Sequence, residues 1–247
     1  GVGAAKGALV VTTEIDSSWG PQIVDQLFKA FEENPGVDIV IASPNLNGGG
    51  YQNVPFRRVL LSRLGNRLIR AMLGSEITMF TGMTRAYRRS EFATLPLNEN
   101  GKELHLEIVN KALVLDFRVS EIPATITWPT VKRGDNKKER KSSSNIPRLI
   151  KSHLLFSAGV NPFRFLFPTA ILLETVALSF MSVAIYRLFT PLQASNFALV
   201  GFNTGLFGFV LFGIGMLAHQ NQSVMQELWR NRHHELVEKF AESEERG

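Results

Sequence analysis

The chain has 247 residues, of which 45% are hydrophobic and 20% charged, and its formal net charge is +5. Its hydrophobic content, with 18 phenylalanines, excludes a disordered chain, and a mean hydropathy of +0.03 excludes a protein with many membrane spans. The absence of cysteine excludes disulfides, thiolate metal sites and cysteine nucleophiles.

The first part of the chain, residues 1–130, predicts an α/β domain with a mostly parallel sheet, because apolar strands alternate with helical patterns. No basic-then-apolar leader begins it, so no signal peptide is expected. The predicted elements in chain order are a strand at 8–13, a helix opened by Pro21, a strand at 37–43, a glycine-rich loop at 45–50, a basic amphipathic helix at 56–73, a strand around 76–81, a helix around 104–114 and an edge strand at 118–128.

The excess of positive charge is concentrated in one place. Residues 131–164 read as a basic juxtamembrane loop and interfacial helix, and the stretch 131–153 holds eight Lys/Arg against two Asp/Glu, a local charge of +6. An anchor on anionic lipid and a phosphate-binding loop are both compatible with this charge. Nucleic acid is not expected as a partner, because no recognition motif accompanies the charge.

Residues 165–218 predict a transmembrane helical hairpin. Two apolar stretches, 165–186 and 197–218, are each 22 residues long, which as a helix gives about 33 Å, enough for a hydrocarbon core of about 30 Å. Basic residues flank the pair and are nearly absent from the turn, which predicts that both termini are cytoplasmic, in a bacterial cytoplasmic membrane. Glu174 is expected near mid-bilayer, either paired between the helices or contacting lipid or a partner.

The last part, residues 219–247, reads as a polar helical tail in the cytoplasm. Trp229 is expected at the membrane interface, where indole rings are enriched. His233 and His234 are adjacent and therefore point in different directions on a helix, so they predict surface residues rather than a metal pair.

The predicted metal site is Glu14-Ile15-Asp16, at the end of the first strand. Ligands of α/β folds bind outside the carboxyl ends of the strands, and two carboxylates there suit Mg²⁺ or Mn²⁺ shared with a diphosphate. An acidic turn that is simply solvated is the alternative.

These motifs in this order resemble the polyprenyl-phosphate (dolichol-phosphate-mannose synthase-like) branch of the family-2 glycosyltransferases, over nearly the whole chain. The segments that carry the resemblance are ALVVTTEIDSSWGPQ, VDIVIASPNLNGGG, RRVLLSRLGNRLIRAMLG, TGMTRAYRRSEF, LEIVNKAL and RVSEIP, followed by the basic loop and the two-span hairpin. The resemblance implies a GT-A-like (Rossmann-like) fold, N-terminally incomplete, because the family's opening strand and nucleotide-base pocket would precede residue 1.

The chain also departs from the family pattern. Its metal motif is Glu-x-Asp instead of Asp-x-Asp, Met79 stands where the family has an acid, and the family's Gly-Ser-Arg is replaced around residues 43–45. No catalytic residue is therefore assigned. A phosphate acceptor is already ionised and needs little help from a general base, so the loss of one acid need not abolish transfer.

The resemblance implies an inverting, metal-assisted transfer of a sugar from a nucleotide sugar to a polyprenyl phosphate. The acceptor phosphate would contact basic side chains of the 56–73 helix, the TRAYRR motif and the basic loop, namely Arg63, Arg67, Arg70, Arg88, Lys132, Arg133, Lys137, Arg140 and Lys141. The helix arginines are also explained by lipid headgroups, and Arg88 by structural pairing with an acid. Glu107 and Glu121 are expected to be structural partners.

The departures from the family's motifs also support an alternative to enzymatic activity. A degenerate, non-catalytic glycosyltransferase-like protein would be a structural or accessory subunit of a larger membrane complex. Its partners would then be membrane lipids and other subunits, or further copies of the chain, instead of polyprenyl phosphate and nucleotide sugar.

Overall fold

A mixed four-stranded sheet organises the first half of the protein in the computed structural model, which describes residues 5–14, 18–99, 103–128, 162–190 and 194–245. The strands are β1 (Leu9–Thr12), β2 (Ile39–Ser43), β4 (Arg85–Arg88) and β5 (Val119–Pro123), in the order β1-β4-β2-β5. β4 pairs antiparallel with both β1 and β2, whereas β2 pairs parallel with β5. Three of the four strands therefore run in one direction. The predicted α/β class with a mostly parallel sheet is confirmed, and β4 is the one antiparallel strand among those described.

A second, two-stranded parallel ladder was missed by the sequence analysis. β3 (Gly50–Gln52) pairs with β6 (Thr125–Thr127). The predicted loop at 45–50 therefore ends in a strand, and the predicted edge strand at 118–128 is two short strands in different sheets. The first of them, β5, does lie at a sheet edge, as predicted.

The helix α1 (Ile23–Glu33) covers the sheet with the face that the sequence predicts. Its buried residues, Ile23, Leu27, Ala30 and Phe31, recur at helical spacing. They form the core together with Trp19 and with Val40 and Ala42 of β2, a strand whose residues are all buried. Asn34, outside the helix, donates its backbone N–H to the Ala30 carbonyl.

Two more predicted helices are confirmed, α2 (Phe56–Leu73) and α4 (Leu104–Val114), and a short α3 (Arg89–Ala93) follows β4. α2 ends where Gly74 takes a left-handed conformation at φ 65°, which glycine adopts without steric cost.

The strand predicted around 76–81 is wrong. The segment is irregular, and the strand lies later, at β4. The apolar run ITMF suggested a strand, but the N–H groups of Thr78, Met79 and Phe80 bond to the Glu121 carboxylate and the Asn66 amide oxygen instead of to a neighbouring strand.

Two long helices follow, α5 (Pro162–Leu188) and α6 (Ser195–Glu245), and both are long and apolar enough to be candidate membrane spans. Their apolar side chains are mostly not covered by protein. Phe207 and Phe209 are 69% and 70% exposed, and Leu178 is 66% exposed. Core helices of a soluble protein would bury such residues, so this exposure favours the hydrocarbon of a membrane as their environment.

The described residues divide into two compact units. Residues 154–225, with α5 and the first part of α6, form one unit, and the α/β part groups with residues 226–247, the end of α6. The predicted polar tail, 219–247, is helical through Glu245, as expected, and its part from residue 226 onward groups with the α/β unit.

Candidate functional site

The carboxyl ends of β1, β2 and β5 meet at one edge of the sheet because these strands run in the same direction. The Ala124 N–H donates to the carbonyl of Ser43 at 3.1 Å, and the hydroxyls of Thr13 and Thr84 are 3.3 Å apart. Glu14, half-buried, follows β1 at this same edge. This is the edge at which open α/β sheets bind their ligands.

Glu14 is the described half of the predicted metal pair, and Asp16 lies outside the described residues. Among the described residues, no group of three or more His, Asp or Glu could hold a metal ion. Glu14 and Asp16 therefore remain the predicted metal ligands. Hard carboxylate oxygens suit Mg²⁺ or Mn²⁺, and such ions usually keep several waters or substrate oxygens as further ligands.

Glu121 holds the irregular segment 76–81 in place. Its carboxylate accepts hydrogen bonds from the backbone N–H groups of Thr78 and Met79, both at 2.8 Å, and from the Thr78 hydroxyl at 3.1 Å. The predicted structural role of Glu121 is therefore borne out. It lies on β5, so the sheet itself holds the loop that crosses the site.

A second acceptor, the amide oxygen of Asn66, holds the next turn of the same segment. It accepts from the Phe80 N–H at 2.7 Å, and Asn66 is itself buried on α2. α2 is thereby linked to the segment that replaces the predicted strand.

A polar network occupies the position where the family's Gly-Ser-Arg is replaced. The Ser43 and Thr78 hydroxyls are 2.7 Å apart, and the Asn45 amide donates to the Thr78 carbonyl at 3.1 Å. The Tyr51 hydroxyl donates to Asn45 Oδ1 at 2.9 Å. Burial raises the pKa of Tyr51 above its ordinary value, so the phenol stays a neutral donor.

Met79 is 5% exposed, and its sulfur lies 3.8 Å from the Asn45 amide nitrogen. A buried thioether can neither take up a proton nor position a hydroxyl strongly. The nearest carboxylate in the sequence, Glu76, is 98% exposed and pairs with Arg70. The carboxylate that the described residues do bring to Met79 is that of Glu121, and it is engaged by the backbone N–H groups of Thr78 and Met79.

The arginines predicted to contact phosphate are in different situations on α2. Arg67 is exposed. Arg63 is also exposed and lies over the ring of Tyr51, with 5.6 Å between its guanidinium carbon and the ring centroid. Arg70 donates to the Ser75 carbonyl at 3.2 Å and to Glu76 at 2.5 Å. Arg63 and Arg67 therefore remain available to an anion, while Arg70 is partly engaged.

Arg88 does not lie with Arg63 and Arg67 at the candidate phosphate site. It ends β4, which runs against β1 and β2, so it lies at the opposite edge of the sheet from Glu14. Its guanidinium donates to the Val37 carbonyl at 2.7 Å and to the Pro35 carbonyl, with Asp38 at 4.0 Å. The prediction of a phosphate contact is therefore corrected, and the structural pairing is what the structure shows.

Arg85, at the other end of β4, is fully buried. It donates to the Phe80 carbonyl at 2.6 Å and to the His105 carbonyl at 2.9 Å. Burial lowers the pKa of Arg85, and burial together with the nearby Arg85 charge lowers the pKa of His105. Arg85 is thus a structural cation that holds the irregular segment 76–81 through the Phe80 carbonyl.

A cleft of about 720 Å³ opens between the start of α1 and the β3–β6 ladder. Its walls include Trp19, Gln22 and Gln26 on one side and Gln52 and Thr127 on the other. Sequence reasoning did not find it, because its two walls are more than 20 positions apart in the chain and only the unexpected ladder brings them together.

The basic loop lies outside the described residues. Lys132, Arg133, Lys137, Arg140 and Lys141 therefore remain predicted phosphate contacts.

In the helical unit, Glu174 packs against glycines of α6. Its Oε1 would lie 2.7 Å from a β-carbon placed on Gly208, and its Oε2 3.7 Å from one on Gly205. A β-carbon placed on Gly201 would lie 3.1 Å from the Ala177 carbonyl oxygen and 3.0 Å from Met181 Cγ. The carboxyl group therefore sits between the two helices, as one of its two predicted environments requires, and small residues permit the close approach.

The position of Trp229 at a membrane interface stays a prediction. Its indole lies over Lys111 of α4, and Arg230 pairs with Asp116 at 3.4 Å. His233, predicted to be a surface residue, is half-buried, with Nδ1 3.0 Å from the Thr94 carbonyl. His234 is exposed as predicted. The helical pattern could have revealed this contact, since Trp229, His233 and Phe240 share one face.

Comparison with known proteins found sequence relatives of this chain. The chain is 31% identical over 123 residues to polyprenol monophosphomannose synthase of Mycolicibacterium smegmatis, matching 49% of this chain and 46% of the relative. It is 28% identical over 120 residues to undecaprenyl-phosphate mannosyltransferase of Micrococcus luteus, matching 47% and 48%. The chain thus spans about half the length of these relatives. No protein-family model matches it.

Among solved structures, glucosyl-3-phosphoglycerate synthase from Mycobacterium tuberculosis shares 16% identity at a TM-score of 0.45, over 64% of this chain and 52% of the other. That protein has also been crystallised with Mn²⁺ and uridine diphosphate. A likeness this distant says nothing of function. The sequence relatives, in contrast, confirm the resemblance to polyprenyl-phosphate glycosyltransferases.

Proposed function

We propose that the protein transfers a sugar from a nucleotide sugar to a polyprenyl phosphate at the surface of a membrane. The observation that carries the proposal is the similarity of half the chain to two relatives named for mannosyl transfer to polyprenyl phosphates. The candidate membrane spans that accompany the α/β unit in one chain support it, since a polyprenyl tail resides in the bilayer.

The donor diphosphate would bind at the edge where β1, β2 and β5 end. Glu14 and Asp16 would hold a Mg²⁺ or Mn²⁺ ion there, and the hard donor set fits such an ion. When bound, it would neutralise charge on the diphosphate leaving group. The protein's own contribution is a fixed edge, because Glu121 and Asn66 hold the facing segment through four hydrogen bonds at 2.7–3.1 Å.

The acceptor phosphate would be held by cations, which the described part of the chain offers on α2. Arg63 and Arg67 are exposed there, beside the apolar Phe56, Leu60 and Leu64, which are 77%, 45% and 55% exposed. Phosphate contact and contact with lipid headgroups are compatible roles for such a face. The basic loop, with Lys132, Arg133, Lys137, Arg140 and Lys141, would complete the phosphate site.

Bond formation would be a direct displacement. An oxygen of the acceptor phosphate attacks the anomeric carbon while the bond to the diphosphate oxygen breaks, and the anomeric configuration inverts. The phosphate oxygen carries no proton to remove, which is consistent with the buried Met79 in place of an acid. We place both termini in the cytoplasm of a bacterial cell, on the basis of the flanking basic residues.

The test uses the full-length gene product in membranes, with polyprenyl phosphate and a panel of labelled nucleotide sugars, with Mg²⁺, Mn²⁺ or a chelator. Transfer that is abolished by chelation and by Asp16→Ala, but kept in the control Asp25→Ala on α1, is the expected result. A folded protein that transfers no sugar from any donor would overturn the proposal. It would leave the accessory membrane subunit as the explanation.

A further inference from the structure

Arg63 is held by an aromatic ring, whereas another arginine of the same helix is held by a carboxylate. The guanidinium carbon of Arg63 lies 5.6 Å from the centroid of the Tyr51 ring. Arg70, further along α2, pairs with the Glu76 carboxylate at 2.5 Å. Among the described residues, no ion pair or hydrogen bond engages the Arg63 guanidinium. A ring face attracts a cation without neutralising it, so the N–H donors of Arg63 stay available to an anion.

The Tyr51 ring is itself fixed through its hydroxyl group. The hydroxyl donates to Asn45 Oδ1 at 2.9 Å and lies 3.4 Å from the hydroxyl of Ser62. Ser62 directly precedes Arg63 on α2, and Asn45 follows the carboxyl end of β2. The half-buried ring therefore connects α2 with the edge of the sheet at which β1, β2 and β5 end.

The hydrogen bonds continue from this ring to the central sheet. The Asn45 amide donates to the Thr78 carbonyl at 3.1 Å, and the Thr78 N–H donates to the Glu121 carboxylate at 2.8 Å. Glu121 belongs to β5. Rotation of the Tyr51 ring would break its bond to Asn45, so the ring face beneath Arg63 is tied to the sheet.

The surroundings of Tyr51 decide against a role in proton transfer. Burial raises the pKa of Tyr51 above its ordinary value, so the phenol keeps its proton at neutral pH. That proton is directed at the amide oxygen of Asn45, which is an acceptor of hydrogen bonds and not a base. The part of Tyr51 that can serve the site is therefore the ring face, over which Arg63 lies.

We propose that Tyr51 is a positioning residue, which orients the Arg63 guanidinium for the acceptor phosphate and leaves its charge uncompensated. A guanidinium held in one orientation can donate two parallel hydrogen bonds to phosphate oxygens. The inference deepens the proposed function, on which the identity of this anion as a polyprenyl phosphate rests. Arg67 is also exposed on α2, but no aromatic ring lies beneath it among the described residues. Arg63 is therefore the arginine whose phosphate contact should depend on Tyr51.

The experiment measures ligand binding and requires no turnover. Calorimetry on the full-length protein in detergent would use farnesyl phosphate, a short polyprenyl phosphate, with farnesol as the uncharged probe. Farnesyl phosphate is expected to bind more tightly than farnesol. Tyr51→Leu should weaken the binding of farnesyl phosphate about two- to fivefold, the size of an exposed contact between a cation and an aromatic ring, and leave the binding of farnesol unchanged.

A double-mutant cycle then identifies the arginine on which Tyr51 acts. In an Arg63→Ala background, Tyr51→Leu should have no further effect on the binding of farnesyl phosphate. In an Arg67→Ala background it should weaken binding by the same factor as in the wild type. Tyr51→Phe keeps the ring but loses the hydroxyl, so it should weaken binding less than Tyr51→Leu, and it replaces Tyr51→Leu in the cycle should that variant not fold.

The outcomes separate this inference from the proposed function. An equal effect of the Tyr51 variant with and without Arg63, or binding of farnesyl phosphate no tighter than that of farnesol, would overturn the inference. Coupled binding in a protein that transfers no sugar would uphold the inference and overturn the proposed function alone. Sugar transfer by a protein in which Tyr51 and Arg63 are not coupled would overturn the inference alone.

Discussion

The indole ring of Trp229 lies over the ammonium group of Lys111, with Nζ 4.8 Å from the ring centroid. Lys111 is 1% exposed and also donates to Glu107 at 2.6 Å and to the Pro96 carbonyl. The end of α6 thus covers a buried charge of the α/β unit. Because a desolvated cation beneath an aromatic face is a favourable contact, this part of the tail is a structural element of that unit.

Trp229→Ala should loosen the end of α6 from the α/β unit. The expected cost is about 1–2 kcal/mol, from the lost contact between a cation and an aromatic ring in a desolvated setting. Hydrogen exchange over 226–245 should accelerate, whereas Leu228→Ala, at a side chain that is 53% exposed, should leave it unchanged. Equal exchange in both variants would mean that the ring contact contributes nothing.

Lys111→Met should destabilise the α/β unit more strongly, because it leaves the Glu107 carboxylate buried without its counter-charge. Glu107 would keep only backbone donors, from Asn98 at 3.0 Å and Glu99 at 2.9 Å. Breaking such a buried pair costs about 3–5 kcal/mol, which corresponds to a fall in Tm of roughly 10 °C. Adding Glu107→Gln should restore part of the loss, and a double variant no better than the single one would contradict the pairing argument.

Stability should fall as the pH is lowered below about 6.5, partly through His105. Burial and the Arg85 charge lower its pKa in the folded protein, so the unfolded chain takes up the proton first as the pH falls. More protons on the unfolded state mean a smaller free energy of unfolding. His105→Gln should flatten the dependence of Tm on pH between 7.5 and 5.5, and His234→Gln, at an exposed position, should leave it as in the wild type.

Gly201→Leu should separate the two long helices. A β-carbon at Gly201 would lie 3.1 Å from the Ala177 carbonyl oxygen and 3.0 Å from Met181 Cγ, so a larger side chain has no room. Overpacking of this kind costs about 1–3 kcal/mol and should lower the Tm in detergent. Gly213→Leu is the matched control, since nothing lies within 4 Å of its β-carbon position. A similar fall in both variants would show that helix propensity, not packing, is being measured.

Glu121→Ala should free the segment Thr78–Met79. Three donors lose their acceptor at once, and each unsatisfied group costs about 1–3 kcal/mol if it stays buried. The amides of Thr78 and Met79 should therefore exchange much faster, while Glu121→Gln should retain part of the protection. Unchanged exchange in Glu121→Ala would mean that another group holds this segment.

Elements with a strong local pattern were predicted from the sequence nearly to the residue. α1 carries a helical repeat of buried apolar residues and β2 is a continuous buried apolar run, so burial specifies both of them. α2 buries only Asn66 and Ile69, and its end is marked by Gly74. β4 was missed because its residues, RAYR, read as polar. Its burial depends on carbonyls from elsewhere in the chain that accept from Arg85 and Arg88.

Only those site residues whose location follows from their position directly after a strand could be predicted from the sequence. Glu14 lies at the carboxyl end of β1, as any residue after a strand must. Arg88 could not be placed correctly without knowing that β4 runs against its neighbours, because strand direction decides at which edge a residue lies. The cleft of glutamines and threonines depends on the pairing of β3 with β6, three residues each, which no local periodicity announces.

The position of β1 at the end of the four-stranded order has a practical consequence. One side of Leu9–Thr12 pairs with β4, and on the other side no strand pairs with it among the described residues. An open row of amide and carbonyl groups on a β-branched strand is a template for another strand. That row is therefore the place at which one more strand can extend the sheet.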